Sequence, residues 1–444
     1  MKSRHPFFAA VAQLAVPVAL QSMLQASFSI VDQIMIGQLG SVSVAGVGLA
    51  GKFASLFSVV VSAVGAVAGI MISQYSGQAK PRELRRSFYL NLALSVGIGA
   101  VFTALCALFP ANILRLYTAD AATAQAGAEY LRIIAATYIP LAGATLLSTY
   151  FRCCDMPRLP LYASLASAVL NTGLNYILIF GKLGAPALGA VGAAIATAVS
   201  QLANVGIMLA LLPGRASVLS LSGARGAAEA FDGAQYAAML LPVLTCEALW
   251  SVGENVYAAI YGHMGTAASA AMTLINPVQG LLIGALCGLS QAAGVIIGKR
   301  LGRGEYDGAY AASRRLMLYG ALGALALSAV VIITRGAYVR IFRVEAQVME
   351  LTRQILLAYA LIAPFKVLNM ILGGGILRSG GRTKYVMLID LVGTWLFGVP
   401  LGLLGAFVLR LSVPYVYFLL SLEEVFRLAI SLAVFRCKAW MQSL

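Results

Sequence analysis

The sequence predicts an all-α integral membrane protein with about twelve transmembrane helices, arranged as two six-helix bundles related by a parallel internal repeat. Of the 444 residues, 60% are hydrophobic and only 11% are charged. A soluble chain is nearer about 25% charged, because its surface must be solvated. Apolar runs long enough to cross a bilayer, which needs roughly 20 residues per helix, recur throughout the chain. Most of the surface is therefore expected to face lipid.

Twelve apolar segments support this prediction, six in each half of the chain. The first six lie near 12–36, 47–73, 88–110, 129–151, 160–180 and 187–212. The second six lie near 235–261, 270–297, 312–334, 353–376, 385–409 and 412–435. Residues 213–234 form the longest polar interruption between them. We therefore predict two domains, 1–212 and 235–444, joined by a cytoplasmic linker.

The basic residues cluster in the connections that follow even-numbered spans, for example at Arg85 and Arg86 in the first half and Arg314 and Arg315 in the second. The positive-inside rule then places both termini in the cytoplasm. The net charge of +15 is spread over these short loops, so it favours topology signals and contacts with anionic lipid over nucleic-acid binding. The first apolar run is expected to be a retained helix, since it is too long for a signal peptide. We predict a multi-pass protein of a prokaryotic cytoplasmic membrane.

The two halves share landmarks at a constant offset of 225 residues. The pairs are Pro17 and Pro242, Gly37 and Gly262, Gly40 and Gly265, and Gly77 and Gly302. Six spans per half insert both halves in the same sense, which gives a pseudo-two-fold axis along the membrane normal. This architecture predicts a substrate cavity between the halves and alternating access by rocking.

One motif is discarded and no cofactor is expected. Residues 46–52, GVGLAGK, resemble a nucleotide-binding glycine loop, but Phe53 stands where that loop needs Ser or Thr, and no strand precedes it. Small residues for close helix packing explain these glycines better. His5 and His263 are the only histidines, too few for a metal site.

Carboxylates within the predicted spans carry the functional prediction, because each costs several kcal/mol unless it is paired, hydrated or protonated. Asp32 continues a polar stripe with Gln25 and Ser29 on the first span. Glu247, Ser251 and Glu254 form a similar stripe on the seventh, and the offset of 225 places the two stripes on equivalent faces. We predict that these groups bind a coupling proton or cation and attract a cationic substrate. The alternatives are that Asp32 caps or snorkels, and that Glu254 pairs with a neighbour such as Asn255.

Seven further polar residues have weaker predictions. Asn171 and Asn175, four residues apart, either hold an ion beside Asp32 or make ordinary interhelical hydrogen bonds. Asp390 lies near Arg382 and Lys384, which favours a structural ion pair, and Glu423 and Glu424 near Arg427 favour the same. Lys366 either lines a cavity or snorkels, and Asn369 is a candidate for the substrate cavity.

Four segments together resemble the multidrug and toxic compound extrusion (MATE) family. They are PVALQSMLQASFSIVDQIMIGQLG (17–40), NTGLNYILIFGKLGAPALGAVGAAIATAVSQ (171–201), PVLTCEALWSVGENVYAAIYGHMG (242–265) and ILRSGGRTKYVMLIDLVGTWLFGVP (376–400). The resemblance implies a twelve-helix antiporter that exports cationic amphiphilic compounds in exchange for Na⁺ or H⁺. It places Asp32 and Glu247 on acidic positions of the family. We expect small organic cations as substrates and a monomer in the bilayer.

The sequence departs from the family at three positions. Asn175 replaces an aspartate of some members, Arg382 replaces the aspartate of a loop motif, and the tenth span has no carboxylate, with Lys366 and Asn369 as its nearest polar residues. The coupling ion, H⁺ or Na⁺, is therefore left open.

Four other functions are compatible with a polytopic membrane chain and are less favoured. The nearest is a lipid-linked oligosaccharide flippase of the same superfamily, which needs a cationic cavity, whereas the predicted cavity is acidic. A major-facilitator transporter is disfavoured because GQAKPRELRR fits its loop motif poorly. A membrane enzyme would need a nucleophile or metal constellation, and two unlike halves suit rocking better than a symmetric channel.

Overall fold

Helices make up nearly all of the chain that the computed structural model describes, which comprises residues 6–118, 120–212, 233–340, 342 and 345–443. Most of the predicted linker, residues 213–232, lies outside this part of the chain. Within it, 11 helices are long and apolar enough to cross a membrane, and no β-strand occurs. The all-α membrane fold is thereby confirmed.

The helices of the first half are α1 (Pro6–Gly37), α2 (Ser41–Gly77), α3 (Pro81–Leu108), α4 (Pro110–Arg115), α5 (Ala121–Ile134), α6 (Tyr138–Cys153), α7 (Arg158–Phe180) and α8 (Gly189–Ala210). A 3₁₀ turn, Ala135–Thr137, joins α5 to α6, so the two form one span.

The helices of the second half are α9 (Gly233–His263), α10 (Thr266–Gly302), α11 (Tyr306–Val339), α12 (Ala346–Asn369), α13 (Thr383–Leu391), α14 (Val399–Leu403), α15 (Val413–Ser421) and α16 (Glu423–Arg436). Three π-helical segments interrupt the tenth and eleventh spans, at Met370–Leu377, Val392–Gly398 and Leu404–Val408.

The observed helices extend beyond most of the predicted spans, because their ends carry polar residues that a hydropathy criterion omits. The short helix α4 was not predicted. The twelfth span is two helices that meet at Leu422, whose amide is shared between the carbonyls of Phe418 and Leu419. Because the helix is broken there, neither part alone reaches the length of a span.

The described chain groups into two compact units. One consists of Leu20–Ile72 and Ala79–Asp232, and one of its buried clusters includes Phe57, Leu114 and Tyr138. The other consists of Met1–Ala19, Ser73–Gln78 and Gly233–Leu444. The beginning of α1 and the end of α2 therefore group with the second half. The predicted domain borders stay a prediction about sequence organisation.

The second unit contains a reciprocal close contact between the ends of α2 and α10. A Cβ on Gly77 would collide with the carbonyl oxygen of Lys299, and a Cβ on Gly302 would collide with that of Gln74. Gln74 and Lys299 are 225 residues apart, as are Gly77 and Gly302. A contact in which each partner repeats the other's role is what a two-fold axis requires. This reciprocity supports the predicted repeat, and it explains why both positions are glycine.

Candidate functional site

Asp32 lies on α1 and is held by an amide from α7. The Nδ2 atom of Asn175 donates to Asp32 Oδ1 at 2.5 Å and to Asn171 Oδ1 at 3.1 Å. Asn171 in turn donates to Thr197 Oγ1 on α8 at 3.4 Å. Helical spacing places the two asparagines on one face of α7. The structure thus brings Asp32, Asn171 and Asn175 together in one polar cluster.

Close packing of α7 on α8 brings Thr197 to this cluster. A Cβ on Gly192 would lie 2.6 Å from the carbonyl oxygen of Leu178, so only glycine allows the two helices to approach this closely. Thr197 lies five residues further along α8. Its hydroxyl also donates to the carbonyl oxygen of Ala193 at 2.9 Å, which leaves its oxygen directed to Asn171.

The surroundings of Asp32 are largely apolar. Ile36, Ile179 and Ala193 are buried in one small cluster, against which Tyr130 also packs. Among the described residues, no lysine or arginine forms an ion pair with Asp32, whose side chain is partly buried. A carboxylate in this position is stabilised by binding a proton or a cation.

Asn175 adds an acceptor to the site. Only 1% of its surface is exposed, and its Oδ1 atom accepts no hydrogen bond within the described part of the chain. A buried oxygen without a donor is uncommon, and it marks a place where a further group can bind. The cluster can therefore hold a proton on Asp32 with an amide acceptor nearby, or a monovalent cation between the carboxylate and amide oxygens.

The rest of the α1 stripe is more open. Gln25 and Ser29 are exposed. Gln21, one turn before Gln25, is buried and donates to Ser164 Oγ on α7 at 2.8 Å. The stripe is thus anchored to α7 at both Gln21 and Asp32, and the exposed part between them is available to a ligand.

Glu247 on α9 has an internal counter-ion. Arg378 Nη1 lies 3.1 Å from Glu247 Oε1, and Arg378 Nη2 lies 3.3 Å from the sulfur of Cys246. The side chains of Glu247 and Arg378 are 26% and 16% exposed. A carboxylate neutralised by the chain itself has less need of an external cation. Its coupling role stays a prediction.

Asp390 forms the ion pair that was predicted, but not with the expected partner. Arg427 on α16 pairs with it, rather than Arg382 or Lys384 near the start of α13. Gly393, in the π-helical segment after α13, leaves room for the side chain of Arg427, because a Cβ there would collide with it. Asp390 lies two turns into its span. At this depth it pairs with Arg427 and not with Arg382 or Lys384, which lie near the start of the helix.

The remaining predicted residues are dispersed. Asn255 donates to the carbonyl oxygen of Ser251 at 2.7 Å, so the alternative in which Glu254 pairs with Asn255 is not supported. Glu254 is exposed and lines a cavity within the second unit. Asn369 is buried and donates to both the carbonyl and the Oε2 of Glu424, at 2.7 and 2.8 Å.

Sequence reasoning missed Thr197, Tyr130 and Arg378. Thr197 could have been found, because it begins a polar stripe with Gln201 and Asn204 on an otherwise apolar helix. The pairing of Arg378 with Glu247 has no local signal, because 131 residues separate the two along the chain.

Long apolar helices with a desolvated polar cluster on the first span define a polytopic membrane protein of the transporter class. The MatE family model matches residues 17–177 and 242–404, and the chain belongs to the MatE family.

Similar proteins share nearly the full length of the chain. A "Probable multidrug resistance protein NorM" of Thermotoga maritima is 22% identical over 96% of this chain and 92% of its own. The structure of a MATE protein in complex with MaL6 superimposes with a TM-score of 0.87 at 17% identity, covering 96% and 95% of the two chains. A superfamily transporter of Pyrococcus furiosus, whose pocket is described as having reverse polarity, superimposes with a TM-score of 0.86 at 18% identity, covering 96% and 95%. At these identities the structural matches establish the fold.

Proposed function

We propose that this protein is a secondary active antiporter, which exports cationic or amphiphilic organic compounds in exchange for H⁺ or Na⁺ by alternating access. The observation that supports this most directly is Asp32, a partly buried carboxylate with an amide donor and no ion pair in the described chain. The protein would act in a prokaryotic cytoplasmic membrane with both termini inside.

An exchange site must change its charge during the transport cycle, and this requirement distinguishes Asp32 from Glu247. Glu247 lies 3.1 Å from Arg378, so an additional cation there would compete with an internal guanidinium. Asp32 has no such competitor among the described residues. We therefore assign the coupling step first to Asp32, and Glu247 remains a second candidate.

The amide of Asn175 suits both charge states of Asp32. Its Nδ2 donates to the ionised carboxylate at 2.5 Å, and its unpartnered Oδ1 is an acceptor available to the O–H of the protonated acid. Sodium could instead use the carboxylate and amide oxygens as ligands. In either case the negative charge of Asp32 is neutralised when the ion binds.

Loss of that charge would weaken the attraction of an organic cation to the exposed stripe that contains Gln25 and Ser29. Coupling of this kind is reciprocal, so the substrate also expels the ion. The relatives named for multidrug resistance support an organic substrate, while the reverse polarity of the Pyrococcus transporter's binding pocket is described as suggesting a different function.

The test is transport of a fluorescent lipophilic cation in proteoliposomes under an imposed pH or Na⁺ gradient. The variants are Asp32→Asn, Glu247→Gln and the control Glu129→Gln, an exposed glutamate on α5 of the same unit as Asp32. We expect gradient-driven transport in the wild type and the control, and a loss of at least about tenfold in Asp32→Asn, since a charge-assisted contact is removed.

The gradient that drives transport identifies the coupling ion. Unchanged transport in Asp32→Asn would refute the assignment of the coupling site to Asp32. Loss of transport in Glu247→Gln alone would instead assign the coupling site to Glu247 in the second unit. No cation transport under either gradient would contradict the antiporter and favour the lipid-linked oligosaccharide flippase.

A further inference from the structure

The second unit encloses a polar cavity of about 420 Å³ that is separate from the Asp32 cluster. Pockets for small molecules typically measure about 300–1,000 Å³. Helices α9, α10, α12, α15 and α16 supply the walls. The charged and aromatic lining consists of Glu254, Lys366, Glu423, Glu424, Tyr257, Tyr261, Tyr359 and Tyr417.

Of the three carboxylates in this lining, one is already neutralised. Glu424 lies 3.7 Å from Arg427 and accepts a hydrogen bond from Asn369 at 2.8 Å. Glu423 accepts only from the hydroxyl of Tyr257, at 2.6 Å, and forms no ion pair within the described chain. The carboxylate of Glu254 likewise has no ion pair there. Neither Glu254 nor Glu423 therefore has a direct counter-ion among the described residues.

Lys366 supplies the only positive charge in this lining, and its charge interacts at longer range with Glu254, Glu423 and Glu424. Its ammonium lies in the lining, and it makes no ion pair within 4 Å and no hydrogen bond among the described residues. An ammonium has three donors, and a membrane interior offers few acceptors for them. This group can bind an anionic end of a ligand.

One uncharged group also points to a ligand. The hydroxyl of Tyr359, a residue only 1% exposed, lines the cavity and has no hydrogen-bond partner in the described chain. Elsewhere in the lining, Gln279 donates to the hydroxyl of Tyr417 at 3.0 Å, which fixes both side chains. A buried hydroxyl without a partner indicates a site completed by another molecule.

The acidic wall is positioned by the backbone. A Cβ on Gly398 would collide with both Glu423 and the hydroxyl of Tyr257, so the glycine provides the space in which this hydrogen-bonded pair lies. Gly398 ends a π-helical segment, a feature that is frequent at functional sites. The carboxylate is thus held in place before any ligand binds.

We propose that this cavity binds a small organic molecule with two positive groups and one negative group, the charge pattern of a basic amino acid such as arginine. The two cationic groups match Glu254 and Glu423, and the carboxylate matches Lys366. A planar guanidinium can also stack on tyrosine rings, and four tyrosines line the walls. The site lies within the second unit and does not depend on Asp32 as a coupling residue.

The test is isothermal titration calorimetry of the full-length protein in lipid nanodiscs with L-arginine, agmatine and L-citrulline. Agmatine lacks the carboxylate and citrulline lacks the guanidinium charge, so each omits one predicted contact. We expect saturable binding of arginine, with each analogue at least about tenfold weaker, since a lost charge-assisted hydrogen bond has that effect. No saturable arginine binding, or equal binding of all three, would overturn the proposal without any variant.

Two variants assign the contacts. Lys366→Met should weaken the binding of arginine at least about tenfold and leave the binding of agmatine unchanged, whereas Glu254→Gln should weaken the binding of both. Lys366→Arg should retain arginine binding. The controls are Arg353→Met and Glu350→Gln, exposed residues on the same helix as Lys366, and they should bind as the wild type does. If neither Lys366→Met nor Glu254→Gln changes the affinity for arginine, this cavity is excluded as the arginine-binding site.

Discussion

Removing Arg427 should destabilise the second unit more than any exposed charge removal. Its side chain is 15% exposed and contacts Asp390 and Glu424, which are 14% and 7% exposed. Arg427→Met leaves these two carboxylates without their counter-ion. Breaking a buried pair in this way costs about 3–5 kcal/mol. For a unit of this size we expect the melting temperature to fall by roughly 6–20 °C, at roughly 2–4 °C per kcal/mol.

The assay is thermal unfolding of the purified protein, followed by the reactivity of buried cysteines with a fluorogenic thiol reagent. Cys246 is a suitable reporter, because it is buried and donates to Asp390 at 2.5 Å. The double variant Arg427→Met with Asp390→Asn should recover about half of the loss, because one stranded charge is removed.

Arg353→Met is the matched control for this prediction. Arg353 and Glu350 lie 3.7 Å apart and are 55% and 56% exposed, and such pairs contribute about 0–1 kcal/mol. Equal shifts for Arg427→Met and Arg353→Met would refute the reasoning. The reasoning would also be refuted if the double variant lost as much melting temperature as the two single variants lose together, since this additivity would mean that Arg427 and Asp390 do not interact.

Two further predictions concern a close contact and a helix cap. Gly302→Ala should destabilise the protein by about 1–3 kcal/mol through overpacking against α2. The control Gly97→Ala, at a position with open space around it, should be neutral or slightly stabilising in the same thermal assay. Equal effects of the two substitutions on the melting temperature would contradict the close contact at Gly302. Asp120 caps α5 by accepting from the amide of Thr123 at 2.9 Å. Hydrogen bonds from the side chain of Thr123 and, to a smaller extent, from its amide lower the pKa of Asp120 below its ordinary value of 3.8. Its contribution to stability is therefore present above pH 3.8 and lost as the pH falls through the lowered pKa, so the melting difference between wild type and Asp120→Ala should narrow below pH 3.8. A difference that is constant with pH would show that the carboxylate charge plays no part.

The fold was largely predictable because a bilayer imposes a simple rule on sequence. Every span must be a helix of roughly 20 apolar residues, so each appears directly as a run in the chain. The breaks were less predictable. The π-helical segment Val392–Gly398 packs against Arg427 at Gly393 and against Glu423 at Gly398, and no local pattern in the sequence indicates this packing.

The polar clusters divide in the same way. Asp32 and Asn175 were identified from the sequence, since each is a polar group in an apolar run with helical spacing to other polar groups. Whether a carboxylate has a counter-ion was not predictable. Glu247 and Asp32 look equivalent in sequence, yet Glu247 is paired with Arg378 and Asp32 is not.

By itself, the sequence determined the class of protein, the family and the positions of the intramembrane carboxylates. It also determined the number of spans, except that it did not show that the twelfth span is divided into two shorter helices. Hydrophobicity and charge are properties of each residue, so they can be summed along the chain without knowledge of its neighbours. Only the tertiary structure decided which carboxylates are neutralised, because partners such as Asp390 and Arg427 come from different helices. The cavity around Lys366 was likewise decided there, since five helices must pack together before an unpaired ammonium, two free carboxylates and a buried hydroxyl face one another.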